Sequence, residues 1–177
     1  MRSISPNTST GAAGVPRQLA DTVAIGGFVT RYLATAAGAD GGAYALVEHE
    51  LGPGLLGAPP HRHAREDECS YVLEGTLTVW RDGTVTSVGP GGVVAKPRGE
   101  WHTFWNAGPR PVRFLEVIAP AAFAGYFREL GALVGAAAAA GRPPDPAALA
   151  GLAARYGLEL DFEVMGRLIG EYGVRLG

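Results

Sequence analysis

The chain has 177 residues, a net charge of −2 and 47% apolar residues, enough for one domain with a sizeable core and a further extension. The near-neutral balance offers nothing to nucleic acid or to an anionic membrane surface. A single cysteine, Cys69, excludes an intrachain disulfide and suits a reducing compartment.

Residues 1–20 are polar, small and aperiodic, and read as a flexible arm without the apolar core of a secretory signal. The longest apolar run, residues 130–141, is too short and too rich in alanine and glycine to span a bilayer. A cytoplasmic protein is therefore expected. From residue 22 onward, short β-prone runs alternate with glycine and proline: 28–35, 43–51, 70–73, 76–80, 84–88, 93–96, 101–106 and 112–118. Glu74-Gly75, Arg81-Asp82-Gly83 and Gly89-Pro90-Gly91-Gly92 supply the turns. Eight or nine strands with no long helix between them predict a mainly β sandwich or small barrel over residues 21–118.

After Pro120 the periodicity changes to that of helices. Phe123, Phe127, Leu130 and Val134 form an amphipathic stripe over 121–140. Asp145 and Pro146 are an N-cap and first-turn pair for a second helix that stops at Gly157. Asp161 can cap a third helix near the C-terminus. Residues 119–177 thus read as a helical extension that covers the barrel or a second subunit.

Two stretches carry chemistry. In PPHRHAREDECSYVLEG (residues 59–75), His61 and His63 point to one side of a strand, so both imidazoles can reach one cation. Glu66, Asp67 and Glu68 follow as competing carboxylates. Glu68 has the opposite parity to His63 and can join its face only if residues 64–67 bend or bulge. A solvated charged loop with two incidental histidines is the alternative. In GGVVAKPRGEWHTFWN (residues 91–106), the Pro97-Arg98-Gly99 turn leads into a strand that starts near His102. Phe104 and Asn106 share the His102 face, and Trp101, Thr103 and Trp105 face the other way.

Together the stretches resemble the two motifs of the cupin superfamily. His61, His63, Glu68 and Gly75 match the first motif, although its leading glycine falls on Leu55. Gly91, Pro97, Gly99, His102 and Asn106 match the second. The resemblance implies a small jelly-roll barrel holding one metal by His61, His63, Glu68 and His102, and its spacing selects Glu68 over its acidic neighbours. Three imidazoles and a carboxylate suit Fe, Ni, Mn, Co or Zn. One domain with a helical tail is similar to the bacterial quercetinase-like dioxygenases. That likeness implies a small enolic or phenolic substrate, O2 as co-substrate, Glu68 as acceptor of the substrate proton, and a homodimer. A non-redox isomerase, lyase or cyclase, or a binding module without turnover, are the other classes that the same ligands serve.

Phe104 is the aromatic expected to face the metal cavity, and Phe123 and Phe127 are candidates to close its mouth. Lys96, Arg98 and Trp101 border the second motif and are candidates to touch substrate, with a place at the rim or in packing as the plainer expectation. His49 is expected as a hydrogen-bonded core residue and Cys69 as a small buried one. Trp80, Trp101, Trp105 and Tyr71 are expected between sheets or at a subunit interface. Asn106, about 13 Å along the strand from His102, is expected to start a turn rather than to bind a metal.

Overall fold

A computed structural model describes residues 21–36 and 43–177; the arm expected over 1–20 lies outside the described residues. Strands β1 (Thr22–Ile25), β2 (Phe28–Ala36), β3 (Tyr44–Leu51), β6 (Asp67–Glu74), β9 (Val93–Lys96) and β11 (Val112–Ala119) form one sheet in the order β1-β2-β3-β11-β6-β9. The second sheet holds β4 (Leu55–Leu56), β5 (His61–His63), β7 (Leu77–Arg81), β8 (Thr84–Val88) and β10 (His102–Trp105). Strand β10 pairs with β5 and β4 along one edge and with β7 along the other. The architecture is mainly β, a jelly roll of two facing sheets, as the strand spacing predicts.

Alternation along the strands decides which side chains enter the space between the sheets. On β11, Val112, Phe114, Glu116 and Ile118 are buried while the residues between them are not. Val112 and Phe114 of this set pack with Phe28, Leu51, Val72, Val79 and Phe104 into the main core. Gly57 permits the closest approach there, because a Cβ at that position would fall 2.1 Å from the Phe104 ring.

The tail departs from the purely helical expectation. A 3-10 turn (Ala121–Ala124) leads into α1 (Gly125–Ala139), followed by α2 (Pro146–Arg155) and α3 (Phe162–Tyr172). Asp145 and Asp161 cap the second and third helices through side-chain oxygens that accept from Ala147 N and Val164 N, as the sequence predicts. Two short strands also come from this region. β12 (Leu158–Leu160) pairs antiparallel with β5, and β13 (Arg175–Leu176) pairs parallel with β4. The three residues of β12, Leu-Glu-Leu, are too few for a period-2 signal, and the glycine that ends α2 concealed a strand behind it.

The helices cover two surfaces. Residues Phe123, Ala124, Ala153 and Leu158 pack on Tyr32, Ala45, Val47 and Ile118, at one end of the space between the sheets. Helix α3 lays Leu168 against Leu56, Trp80 and Trp105 on the outer side of the second sheet. Trp80 and Trp105 are therefore buried under this chain's own helix, whereas Tyr71 stays exposed on the outer face of the first sheet. Among the described residues, no helix is long and apolar enough to cross a membrane.

Candidate metal centre

His61 and His102 stand directly opposite each other on β5 and β10, with ring centroids 4.3 Å apart. His63 lies two residues further along β5 on the same face. The chain then bends at Ala64–Arg65 and crosses to the other sheet, where β6 begins at Asp67. The bend resolves the parity problem: Glu68 need not share a strand face with His63, because it meets His63 across the barrel. Asp67 faces solvent and pairs with Arg98.

The side chains of His61, His63, Glu68 and His102 each offer one donor atom, and these atoms all lie within 4.8 Å of one another. All four residues are buried, with exposures of 7%, 0%, 7% and 0%. His63 Nε2 is 3.6 Å from Glu68 Oε1, and His102 Nε2 is 3.6 Å from Glu68 Oε2. Ligands bonded at about 2.1 Å to one ion lie roughly 3 to 4.2 Å apart, so the cluster is only slightly wider than a loaded site.

The hydrogen bonds behind the rings orient them. His61 Nδ1 lies 2.8 Å from the Pro59 carbonyl, and His102 Nδ1 lies 3.0 Å from the Glu100 carbonyl. A carbonyl only accepts, so both Nδ1 atoms carry the proton and both Nε2 lone pairs turn inward. His63 Nε2 and His102 Nε2 are buried without a hydrogen-bond partner among the described residues. Such atoms are costly unless something satisfies them, and a cation between the rings would do so. The residues fit one metal ion of the N/O-binding type.

Burial, with the neighbouring His102 and His63, holds His61 well below the usual imidazole range. Burial, together with the Lys96 charge, lowers His102 as well. Both therefore stay neutral, as ligation requires. For Glu68, burial favours the neutral acid, but Lys96 and the two histidines outweigh it and keep the carboxylate well below its usual range.

Lys96 is not at the rim. It is 1% exposed, and its Nζ lies 3.1 Å from Glu68 Oε2 and 2.7 Å from Glu116 Oε2. The Ser70 hydroxyl donates to the same Glu116 oxygen at 2.8 Å. Glu116 Oε1 is buried with no partner. Burial, with repulsion from Glu68, pushes Glu116 up to about 7 although Lys96 pulls the other way. One ammonium serves two carboxylates: Glu68, also flanked by the imidazoles, is the one held ionised, and Glu116 bears the penalty. Strand parity could have revealed both residues, since Lys96 alternates with buried Val94, and Glu116 lies between Phe114 and Ile118 on the inward face.

Phe104 is buried against Phe28 and Phe114, and Lys96 Nζ lies 5.2 Å from its ring centroid. Phe123 sets its ring edge-on to His63 at 4.4 Å, with Phe127 and Tyr156 around it. His49 is a core residue, as expected, with Nδ1 3.0 Å from Thr30 Oγ1 and its ring stacked on Phe28. Asn106 organises its loop, donating to the Leu51 and Arg110 carbonyls and accepting from Gly108 N. One expectation needs correction beside Lys96: Cys69 is only half buried, because it lies on the outward face of β6. Trp101 is partly buried against the Leu56, Trp80 and Trp105 cluster, under the Arg62 guanidinium 4.9 Å from its ring.

Comparison with known proteins agrees with this geometry. Residues 47–118 match the Cupin domain family. The quercetin 2,3-dioxygenase of Bacillus subtilis (strain 168) is 31% identical over 71 residues, which are 40% of this chain and 21% of that protein. The match thus spans about a fifth of the relative's length. The polyketide cyclase RemF from Streptomyces resistomycificus superposes with a TM-score of 0.50 at 31% identity, over 59% of this chain and 76% of that one. KdgF from Halomonas sp. gives a TM-score of 0.53 at 21% identity, over 63% and 94%, a likeness of fold alone. With both motifs meeting in one buried cluster inside a jelly roll, this chain is a member of the cupin superfamily.

Proposed function

We propose that this cupin is a mononuclear metal-dependent enzyme of the dioxygenase type, acting on a small enolic or phenolic, flavonol-like substrate. The observation that carries the reading is the convergence of three imidazoles and one carboxylate on a single buried point. Four protein donors leave room on a six-coordinate ion, and no cysteine faces the cluster to make a closed structural zinc site. A bound redox-active metal would supply the open positions at which substrate and O2 are activated together.

The chain's own residues would do the rest. Phe104, Phe123 and Phe127 are the apolar walls proposed to pack on the substrate rings and keep water out. Glu68 is the proposed ligand and acceptor of the substrate hydroxyl proton. Lys96 opposes proton uptake at Oε2, which it holds at 3.1 Å, so Oε1 is the atom proposed to take the proton. The exposed side chains of Tyr71, Val93 and Val117 on adjoining strands β6, β9 and β11 support a homodimer across that sheet face. Light scattering that finds only monomer would sink the dimer.

The enzymatic reading is tested by loading the protein in turn with Fe, Ni, Mn and Co and following O2 uptake with flavonols. Failure of every metal to support oxygen consumption would sink it. The 31% identity to a polyketide cyclase favours a second reading, non-redox cyclisation or isomerisation of an enolisable substrate at the same centre. Turnover that continues under argon would select it.

A further inference from the structure

Of the three acidic residues between the histidine pair and β6, Glu68 belongs to the cluster and Asp67 is paired at the surface. Glu66 is neither. It is 3% exposed, although it sits in the bend that carries the chain between the sheets. Among the described residues its Oε2 has no hydrogen-bond partner, and its Oε1 meets the exposed Arg65 guanidinium at 3.7 Å. A buried carboxylate oxygen without a hydrogen-bond partner is rare enough to need a reason.

The reason lies on the far side of His63. His61 and His102 each give Nδ1–H to a backbone carbonyl two residues earlier in the chain. Among the described residues His63 makes no such bond, and both of its ring nitrogens lack hydrogen-bond partners. Its Nδ1 lies 3.6 Å from Glu66 Oε2, just beyond hydrogen-bond length, and its Nε2 faces Glu68. Two orphaned, complementary groups face each other across a gap that a shift of about half an ångström would close.

We propose that Glu66 is the positioning residue of His63: it accepts the Nδ1 proton, fixes the tautomer and turns the Nε2 lone pair towards the other three donors. This inference rests on the metal-centre reading. It assigns the bend a second task, since the residues that bring Glu68 across the barrel also bring a carboxylate behind the ring. Carboxylates placed behind metal-bound histidines set ring orientation and basicity, and their loss typically costs roughly 10- to 100-fold in metal affinity.

The test uses the full chain, 15N-labelled at histidine, without metal and with Zn(II). In the metal-free protein, long-range imidazole spectra are expected to show the Nδ1–H form of His63 in the wild type. Glu66→Ala is expected to convert His63 to a mixture or to the Nε2–H form while His61 and His102 keep theirs. Zn(II) competition titrations are expected to show about 10- to 100-fold weaker binding in Glu66→Ala at unchanged 1:1 stoichiometry. Glu66→Gln, whose amide oxygen can still accept, should recover most of the loss. An unchanged His63 tautomer in Glu66→Ala overturns the proposal. So does a loss of stoichiometry as complete as in Glu68→Ala, which would make Glu66 a ligand. A tautomer change in Glu66→Ala, with a wild type that binds no metal, would leave the positioning role standing and bring down the metal reading instead.

Discussion

Replacing Glu116 with glutamine removes one of the two carboxylates that share the Lys96 ammonium. In the folded chain Glu116 is fully enclosed, and burial with repulsion from Glu68 pushes it up from 4.5 to about 7. A carboxyl group whose folded value is raised binds its proton more tightly in the native state than in the unfolded chain. Its contribution is therefore complete below about pH 4.5 and is lost as pH rises to about 7. At about 1.4 kcal/mol per unit, that loss is on the order of 3 kcal/mol. The groups facing Glu116 are Lys96, Ser70 and, through Lys96, Glu68. Glutamine keeps an acceptor for Lys96 and Ser70 but cannot take the charge. Urea unfolding of metal-free wild type and Glu116→Gln, at steps from pH 4.5 to 8, isolates the effect, because titrations not coupled to Glu116 cancel in the difference. The variant is expected to gain on the wild type by about 3 kcal/mol across this range. A difference that stays constant with pH would refute the argument that one buried ammonium serves two carboxylates unequally.

Lys96→Met leaves Glu68 and Glu116 facing each other without a counter-charge, and breaking such a buried pair costs about 3 to 5 kcal/mol; a loss below about 1 kcal/mol in urea at pH 7 would contradict it. Unperturbed imidazoles would predict metal affinity falling as pH drops through about 6 to 6.5. Burial holds His61 well below that range and His102 below it, so the fall in Zn(II) affinity from pH 7 to 6 should be smaller than three unperturbed imidazoles would give. A fall as steep as theirs would overturn this. Phe123→Ala removes the ring that meets His63 edge-on. It should cost about 3 to 5 kcal/mol by cavity formation and speed metal exchange in stopped flow, and exchange at the wild-type rate would mean that Phe123 does not close the site. His61→Ala and His102→Ala should each lose most of the bound metal by elemental analysis, and full retention in both would place the metal elsewhere.

The ligand set was legible because metal chemistry restricts both residue type and spacing. Two histidines at i and i+2, and a third after a Pro-x-Gly turn, leave a local trace in the sequence. The strands of the barrel were legible for a similar reason, since alternation and turn residues are local. Lys96 was misplaced at the rim because a lone lysine at the end of a short strand is exposed far more often than not. Its two carboxylate partners, Glu68 and Glu116, make burial tolerable, and Glu116 is twenty residues away on a strand that is not adjacent to β9 in the sheet. Glu66 could not be separated from Asp67 and Glu68 by sequence, because their roles depend on how the chain turns between sheets. The strands of the tail escaped notice because β12 and β13 owe their conformation to partners about a hundred residues away.

That last pairing bears on how the protein is made. His63 lies opposite Leu158 and His61 opposite Leu160, so the strand carrying two of the four candidate ligands has an unpaired edge until residue 160 is available. During synthesis the residues of both motifs emerge well before this partner does. At about 5 to 20 residues per second, the roughly sixty residues separating His102 from Leu160 take several seconds to add. Through that interval the nascent barrel presents an open strand edge lined with imidazoles, a surface suited to capturing stray cations or another unfinished chain. Completion of the tail closes that edge.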